Sequence, residues 1–282
     1  MTAAGPSLGA RASSGLLWLF TGLVYVFMLA PVFVIVLLAF NPPEFGSFPI
    51  TGMTLKWFWA LADNRPIIEA IKTSLLLGLA SSTISTVIGT AAAYALARFR
   101  FVGRDIVQLL LTLPILVPHI ILGVGLLLAF RLIGMSKSFT LLVIGHVAIT
   151  LPFVVLTTQH RLQAIPSSLE EAARTLGANR FETFREITLP LTLPAIFAGF
   201  LFAFMMSFDE LTATLFWRPA NVETVPTHVL GMLQYSVNQE INALATALIV
   251  VSVALPLGGM LIARRVALGG RAKQPAAVEK PA

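Results

Sequence analysis

Two adjacent carboxylates, Asp209 and Glu210, directly follow a charge-free apolar run over residues 187–208. At about 1.5 Å per residue they lie about 20 residues into a helix, and therefore near its outer end. A carboxylate at membrane depth is unfavourable unless it faces water, protein or a cation. The pair therefore has two interpretations. In the first, one or both carboxylates line the outer gate or attract a cationic solute. In the second, they mark the membrane boundary or pair with Arg218.

The remaining polar residues form no catalytic or metal-binding pattern. The four histidines, at positions 119, 146, 160 and 228, lack metal-ligand spacing such as His-Glu-x-x-His, and the chain has no cysteine. We interpret His119 and His146 as hydrogen-bonded packing residues. A Gly-rich phosphate loop is also missing, so we expect neither an enzyme nor a protein with a metal or other cofactor of its own.

The segment 166–190 carries the local signals of a helical hairpin. It predicts a short helix over about 168–176, a glycine turn at Gly177, and a second helix over about 180–188 that leads into the next apolar run. Capping-box patterns mark both helix starts. They pair Ser167 with Glu170 or Ser168 with Glu171 after Pro166, and Asn179 with Glu182.

Both predicted helices have an apolar face, and small residues on the first would let a partner approach the backbone closely. The first face comprises Leu169, Ala172, Ala173 and Leu176, and the second comprises Phe181, Phe184 and Ile187.

Long apolar runs dominate the chain that carries this hairpin. Its 282 residues are 57% hydrophobic and only 11% charged, which a soluble core of this length could not bury. A spanning helix needs about 20 apolar residues, and six charge-free intervals reach that length. The sequence therefore predicts an all-α polytopic membrane protein whose first apolar run is an uncleaved helix. The intervals are 12–43, 73–97, 106–130, 138–160, 187–208 and 241–263.

The distribution of positive charge predicts the orientation. Of the 19 lysines and arginines, 13 lie in segments that share one face with both termini. The positive-inside rule therefore places both termini in the cytoplasm, and the net charge of +6 reflects this orientation and not nucleic-acid binding. The other six are Lys56, Arg65, Lys72, Arg131, Lys137 and Arg218.

The hairpin segment resembles the EAA motif of ABC importer permeases, which reads EAA, three residues, G, nine residues, I, one residue, LP. Glu171-Ala172-Ala173, Gly177, Ile187, Leu189 and Pro190 match every fixed position. The resemblance covers about residues 70–263, including the stretch 92–98. It implies the MetI-like fold of a type I importer permease in three parts. These are an N-terminal part with the first helix and outer loop (1–69), a permease core (70–265) with the coupling loop 166–190, and a disordered cytoplasmic tail (266–282).

The resemblance further implies a multi-pass transport subunit of the bacterial inner membrane. Two different permease subunits would form the path, two ABC ATPase subunits would bind the ATP, and a soluble binding protein would deliver the solute. Glu171 would make a polar or charge-assisted contact with the ATPase, Ala172 would allow close approach, and Gly177 would make the turn. The residues expected at this coupling site are Glu170, Glu171, Ala172, Ala173, Leu176, Gly177, Phe181, Ile187, Leu189 and Pro190.

Two further stretches, residues 207–210 (Ser-Phe-Asp-Glu) and 224–226 (Thr-Val-Pro), are similar to the second permease subunit of spermidine/putrescine importers. This similarity implies a polyamine solute and places Asp209 and Glu210 along its path. Other small solutes, such as 2-aminoethylphosphonate or an organic ion, stay open. Two other classes of protein also stay open. One is an ATP-independent channel or secondary transporter, and the other is a membrane enzyme, which would need catalytic groups clustered at one depth.

Overall fold

The computed structural model describes residues 8–44, 49–235 and 239–271, and every regular element in these ranges is a helix. The predicted all-α fold is confirmed. The helices are α1 (Leu8–Ala39), α2 (Lys56–Asp63), α3 (Arg65–Arg98), α4 (Arg104–Leu116), α5 (His119–Leu132), α6 (Phe139–Ala164), α7 (Ser167–Thr175), α8 (Arg180–Thr183), α9 (Leu189–Phe208), α10 (Thr214–Trp217), α11 (Val225–Tyr235) and α12 (Gln239–Arg271).

Within the described residues, five helical stretches are long and apolar enough to cross a membrane, and they correspond to five of the six predicted intervals. The sixth interval, 106–130, is not one straight helix, because α4 and α5 meet at a bend of 116°. The break occurs at Val117, which is extended (φ −98°, ψ 126°). A residue that precedes a proline avoids the helical region, and Pro118 follows here. The count is six if this bent pair forms one broken span.

The chain divides into two compact units. The first comprises Met1–Asn64 and Met232–Val250. In its described part, the indole N–H of Trp57 donates to the carbonyl oxygen of Asn41 at 2.8 Å. This bond holds α2 against the turn that follows α1. The buried apolar residues of this unit include Ala39, Trp57 and Ala243.

The second unit comprises Arg65–Gly231 and Val251–Ala282. Helices α3, α6 and α9 pack together as its core. Glycine makes this packing close: a Cβ on Gly89 of α3 would lie 2.9 Å from the Val154 Cβ of α6, and one on Gly199 of α9 would lie 3.4 Å from the Val154 Cα. Small residues allow such backbone approach between membrane helices.

The hairpin of α7 and α8 joins the ends of α6 and α9. The last residues of the predicted second helix, Phe184–Thr188, form a π-helical turn that runs directly into α9. In this turn the N–H of Leu189 bonds to the carbonyl of Phe184, five residues back.

The C-terminal boundary lies within a helix. The tail predicted from residue 266 begins inside α12, which continues to Arg271. Ala267 and Leu268 are strong helix formers and favour this continuation. Residues 272–282 of the predicted tail lie outside the described residues.

Candidate functional site

The α7–α8 hairpin exposes a set of apolar side chains at one end of the α3–α6–α9 core. Leu176 is 90% exposed and Phe181 is 69% exposed, so these large side chains have little cover from the rest of the chain. A contiguous exposed apolar patch rimmed by polar groups marks a contact site on a protein surface. We call this patch the hairpin surface, and it comprises Leu169, Glu171, Ala172, Leu176 and Phe181.

Local hydrogen bonds fix the shape of the hairpin. Gly177 has φ +96°, a conformation that favours glycine, and its position ends α7 as the sequence predicted. Asn179 accepts hydrogen bonds from the backbone N–H groups of Phe181 and Glu182, both at 3.0 Å. The Glu182 carboxylate accepts from the Asn179 N–H at 2.8 Å, so the predicted second capping box is confirmed.

The predicted first capping box is wrong. The residue before α7 is Pro166, and no side chain caps this helix start. Glu170 is instead buried, with a 7% exposed fraction, because its carboxylate turns inward to a cation on another helix. The other predicted coupling residues lie around it: Ala173, Ile187 and Leu189 are half-buried, whereas Pro190 is exposed at the start of α9.

The partner of Glu170 is Arg98, the last residue of α3. The Arg98 Nε donates to Glu170 Oε1 at 2.8 Å, and its side chain also donates to the carbonyl of Ile165 at 3.3 Å. The same Oε1 accepts from the Thr188 hydroxyl at 2.9 Å. We call this group the Arg98 junction. Sequence reasoning missed it, since Arg98 and Glu170 are 72 residues apart and no local pattern links them.

At the other end of α9, the two adjacent carboxylates have different surroundings. Asp209 is exposed, although neighbouring protein desolvates its carboxyl enough to raise its pKa. Glu210 is buried, where one oxygen accepts from the Ala213 N–H at 2.7 Å and the other contacts His119 Nδ1 at 2.5 Å. The alternative in which Glu210 pairs with Arg218 is wrong, because the turn into α10 directs this carboxylate towards His119 at the start of α5.

Arg218 is the cation that one interpretation of the sequence offered as a partner for these carboxylates. It contacts Glu223 at 4.0 Å and donates to the carbonyl of Val222 at 2.9 Å. Its contacts are therefore made within its own loop.

A buried chain of polar side chains leads from Glu210 into the helical core. His146 contacts the Ser207 hydroxyl at 2.7 Å through Nδ1 and the Thr214 hydroxyl at 3.0 Å through Nε2. Ser81 of α3 donates to Ser207 at 2.8 Å, and Thr214 donates to the Glu210 carbonyl at 2.8 Å. Each polar group thus has a partner inside an apolar bundle, as its burial requires. The prediction that His146 is a hydrogen-bonded packing residue is confirmed.

The short helix α10 holds this polar chain in place. Its Trp217 is fully buried and donates its indole N–H to the Gly123 carbonyl of α5 at 2.8 Å. The ring lies over Gly145 of α6, where a Cβ would come within 2.3 Å of it. Because α10 is wedged between α5 and α6, the preceding turn with Glu210 has a defined position.

Together, the spanning helices, the exposed hairpin and the carboxylates at the far end of α9 define a multi-pass membrane transport subunit. The family profile "Binding-protein-dependent transport system inner membrane component" matches residues 85–267. The chain belongs to this family of inner-membrane permeases, whose members are transport subunits and not enzymes.

Two relatives and one solved structure extend this result. The chain is 35% identical over 241 residues to the spermidine/putrescine transport system permease protein PotC of Escherichia coli K12, covering 86% of this chain and 91% of that protein. It is 33% identical over 232 residues to the putrescine transport system permease protein PotI of the same strain, covering 80% of this chain and 82% of that protein. The fold matches a chain of a bacterial alginate ABC transporter in complex with a periplasmic protein, with a TM-score of 0.72 and 17% identity. The match covers 91% of this chain and 96% of that chain.

Proposed function

We propose that the chain is the permease subunit of an ATP-driven importer for a polyamine such as spermidine or putrescine. The observation that carries this proposal is the similarity to PotC, which extends over 86% of this chain and 91% of that protein. Similarity to PotI, a putrescine permease, supports the same solute class. A polyamine is a linear cation at neutral pH, and it suits a path that ends in carboxylates.

The two carboxylates would have separate roles on this path. Among the described residues, Asp209 has no ion-pair partner and it is exposed, so its charge is available to attract a cation. Glu210 is buried and paired with His119, so it holds the turn in place and contributes less to attraction.

The hairpin surface would be the contact with a separate ATPase subunit. Its exposed Leu176 and Phe181 would fill a cleft on the ATPase, and Glu171 would make a polar contact at the edge. ATP would bind to that partner, and this chain would hold no cofactor. Arginines concentrate at this end of the core, which supports a cytoplasmic hairpin and cytoplasmic termini. The complete importer would add a second, different permease subunit and a soluble binding protein.

Uptake of radiolabelled putrescine tests the proposed function. The importer genes are expressed in a strain without its own polyamine uptake, and we expect uptake that requires ATP and is competed by excess spermidine. Competition by 2-aminoethylphosphonate or another organic ion, and none by spermidine, would assign a different solute.

The role of Asp209 is tested in the same assay. Asp209→Asn removes the exposed charge with little change in size, and we expect uptake at low putrescine concentration to fall about tenfold. Glu69→Gln is the matched control, because Glu69 is an exposed carboxylate at the start of α3. Unchanged uptake by Asp209→Asn would assign Asp209 to the membrane boundary.

A further inference from the structure

We propose that the Arg98 junction is the joint that transmits movement of the hairpin to the three core helices, and that Arg98, Glu170 and Thr188 are its positioning residues. The inference rests on the proposed function, since it requires a partner ATPase that moves the hairpin surface. It assigns the transmission to buried residues on the opposite side of α7 from that surface.

One carboxylate oxygen connects three parts of the fold. Glu170 Oε1 accepts from Arg98 at the end of α3 and from Thr188 in the π-helical turn before α9. The Arg98 side chain also bonds to Ile165, just after the end of α6. The ends of α3 and α9 therefore meet at the carboxylate of α7, and the end of α6 is joined to it through the Arg98 side chain.

The environment of the junction makes these bonds strong. The side chains of Arg98 and Glu170 are only 14% and 9% exposed, and Thr188 is fully buried. Salt and water screen such a pair far less than a surface pair. Hydrogen bonds that involve a charged group are also stronger than neutral ones. The junction therefore moves with α7 as one body.

Helix α3 depends on the junction more than the other two helices do. The chain connects the hairpin directly to α6 through residues 165–166 and to α9 through the π-helical turn. In contrast, α3 ends at Arg98 and has no such covalent link to the hairpin. A second contact of α3 with this region is the packing of the Tyr94 ring on Phe184, with centroids 4.9 Å apart. Without the Arg98–Glu170 pair, a shift of α7 would reach α3 indirectly, through its packing against α6 and α9.

The same three helices are connected again farther from the junction, by the polar chain of Ser81, Ser207 and His146. Ser81 of α3 lies about 25 Å from Arg98 along the helix axis, at 1.5 Å per residue. Its hydroxyl bonds to Ser207 of α9, and Ser207 bonds to His146 of α6. A movement that starts at the junction thus reaches the region of Asp209 and Glu210 through helices that are already connected there. This is a continuous physical route between the two ends.

A single reporter cysteine can measure this transmission. The chain has no cysteine of its own, and Thr212 is exposed in the turn after Glu210. Thr212→Cys is introduced in the complete importer in proteoliposomes, and maleimide labelling of this chain is followed with and without ATP plus vanadate. ATP hydrolysis and radiolabelled putrescine uptake are measured on the same samples. The labelling measurement requires no knowledge of the solute.

Two variants change the junction and keep its shape. Glu170→Gln removes the charge, and Thr188→Val removes the hydroxyl. We expect the complex to assemble and to hydrolyse ATP, while the ATP-dependent change in labelling and the uptake both fall about tenfold, as a coupling loss of this kind predicts. The control is Lys72→Gln, which breaks the exposed Lys72–Glu69 pair at the other end of α3 and should leave both readouts unchanged.

The outcomes separate the two proposals. The role of the junction in transmission is overturned if both variants keep the ATP-dependent change in labelling and the uptake of the Thr212→Cys parent. If the parent itself fails to co-purify with an ATPase subunit, or its labelling does not respond to ATP, the proposed coupling function fails before the variants are compared. If the Glu170→Gln complex does not assemble, Thr188→Val decides the question, because it removes only a small, uncharged hydroxyl group.

Discussion

Substituting alanine for Gly145 should dislodge Trp217 and destabilise the protein. A Cβ at position 145 would lie 2.3 Å from both Cε3 and Cζ3 of the Trp217 ring. Carbon atoms normally pack about 3.5 to 4.0 Å apart, so the ring must move by about 1.2 Å or more. The ring cannot move this far and keep its 2.8 Å hydrogen bond to the Gly123 carbonyl.

The size of the effect follows from these contacts. Overpacking a buried site raises the free energy of the folded state by about 1 to 3 kcal/mol. The lost indole hydrogen bond adds about 1 kcal/mol. The better helix propensity of alanine offsets up to about 1 kcal/mol of this change. The net loss of about 1 to 3 kcal/mol corresponds to a fall in Tm of roughly 2 to 5 °C for a chain of this length.

The assay is thermal unfolding of the purified chain in detergent, with Gly125→Ala as the matched control. Gly125 lies in α5, and nothing lies within 4 Å of a Cβ placed there. The control thus gains the same helix propensity without a clash, and its Tm should stay the same or rise. A Tm for Gly145→Ala equal to that of Gly125→Ala would refute the packing of Trp217 over α6. Putrescine uptake by Gly145→Ala should also fall, because α10 positions the turn with Glu210.

Two further substitutions test the two ends of the molecule. Gly177→Asp forces a charged side chain into a conformation with φ +96°, beside the hairpin surface. It should abolish uptake and leave membrane insertion, measured by fractionation, intact. Normal uptake would contradict the coupling role of the hairpin. Glu210→Gln weakens the contact with His119, and it should lower uptake several-fold and destabilise the chain by about 1 to 3 kcal/mol. Uptake equal to that of the unmodified chain would show that the pair does not position the path.

Local signals in the sequence were sufficient to predict the hairpin. The stop at Gly177 and the cap at Asn179 depend on bonds that span at most a few residues, and the structure shows both. Long charge-free intervals likewise predicted the spanning helices, since length and hydropathy are properties of one segment. A helix break at Val117 before Pro118 is likewise a local signal, but the 116° angle is not, because α4 packs on α6 and α5 packs on α10, far along the chain.

Long-range contacts explain the predictions that were wrong. Glu170 fits a capping box by spacing, yet an ion pair with Arg98 competes for the same carboxylate and wins. One interpretation allowed Glu210 to pair with Arg218, eight positions along the chain, but His119 is its partner from 91 residues away. In both cases a charged group in a buried position takes the partner that the fold supplies. Sequence spacing alone carries no information about that choice.

The π-helical turn at Phe184–Thr188 has a consequence for insertions and deletions. A helix advances by about 100° per residue, since 3.6 residues complete one turn. Removing one residue between α8 and α9 would therefore rotate the hairpin surface by about 100° relative to α9. The length of this segment therefore sets the orientation of the hairpin surface about the axis of α9. We expect the segment to tolerate a changed side chain far better than a changed number of residues.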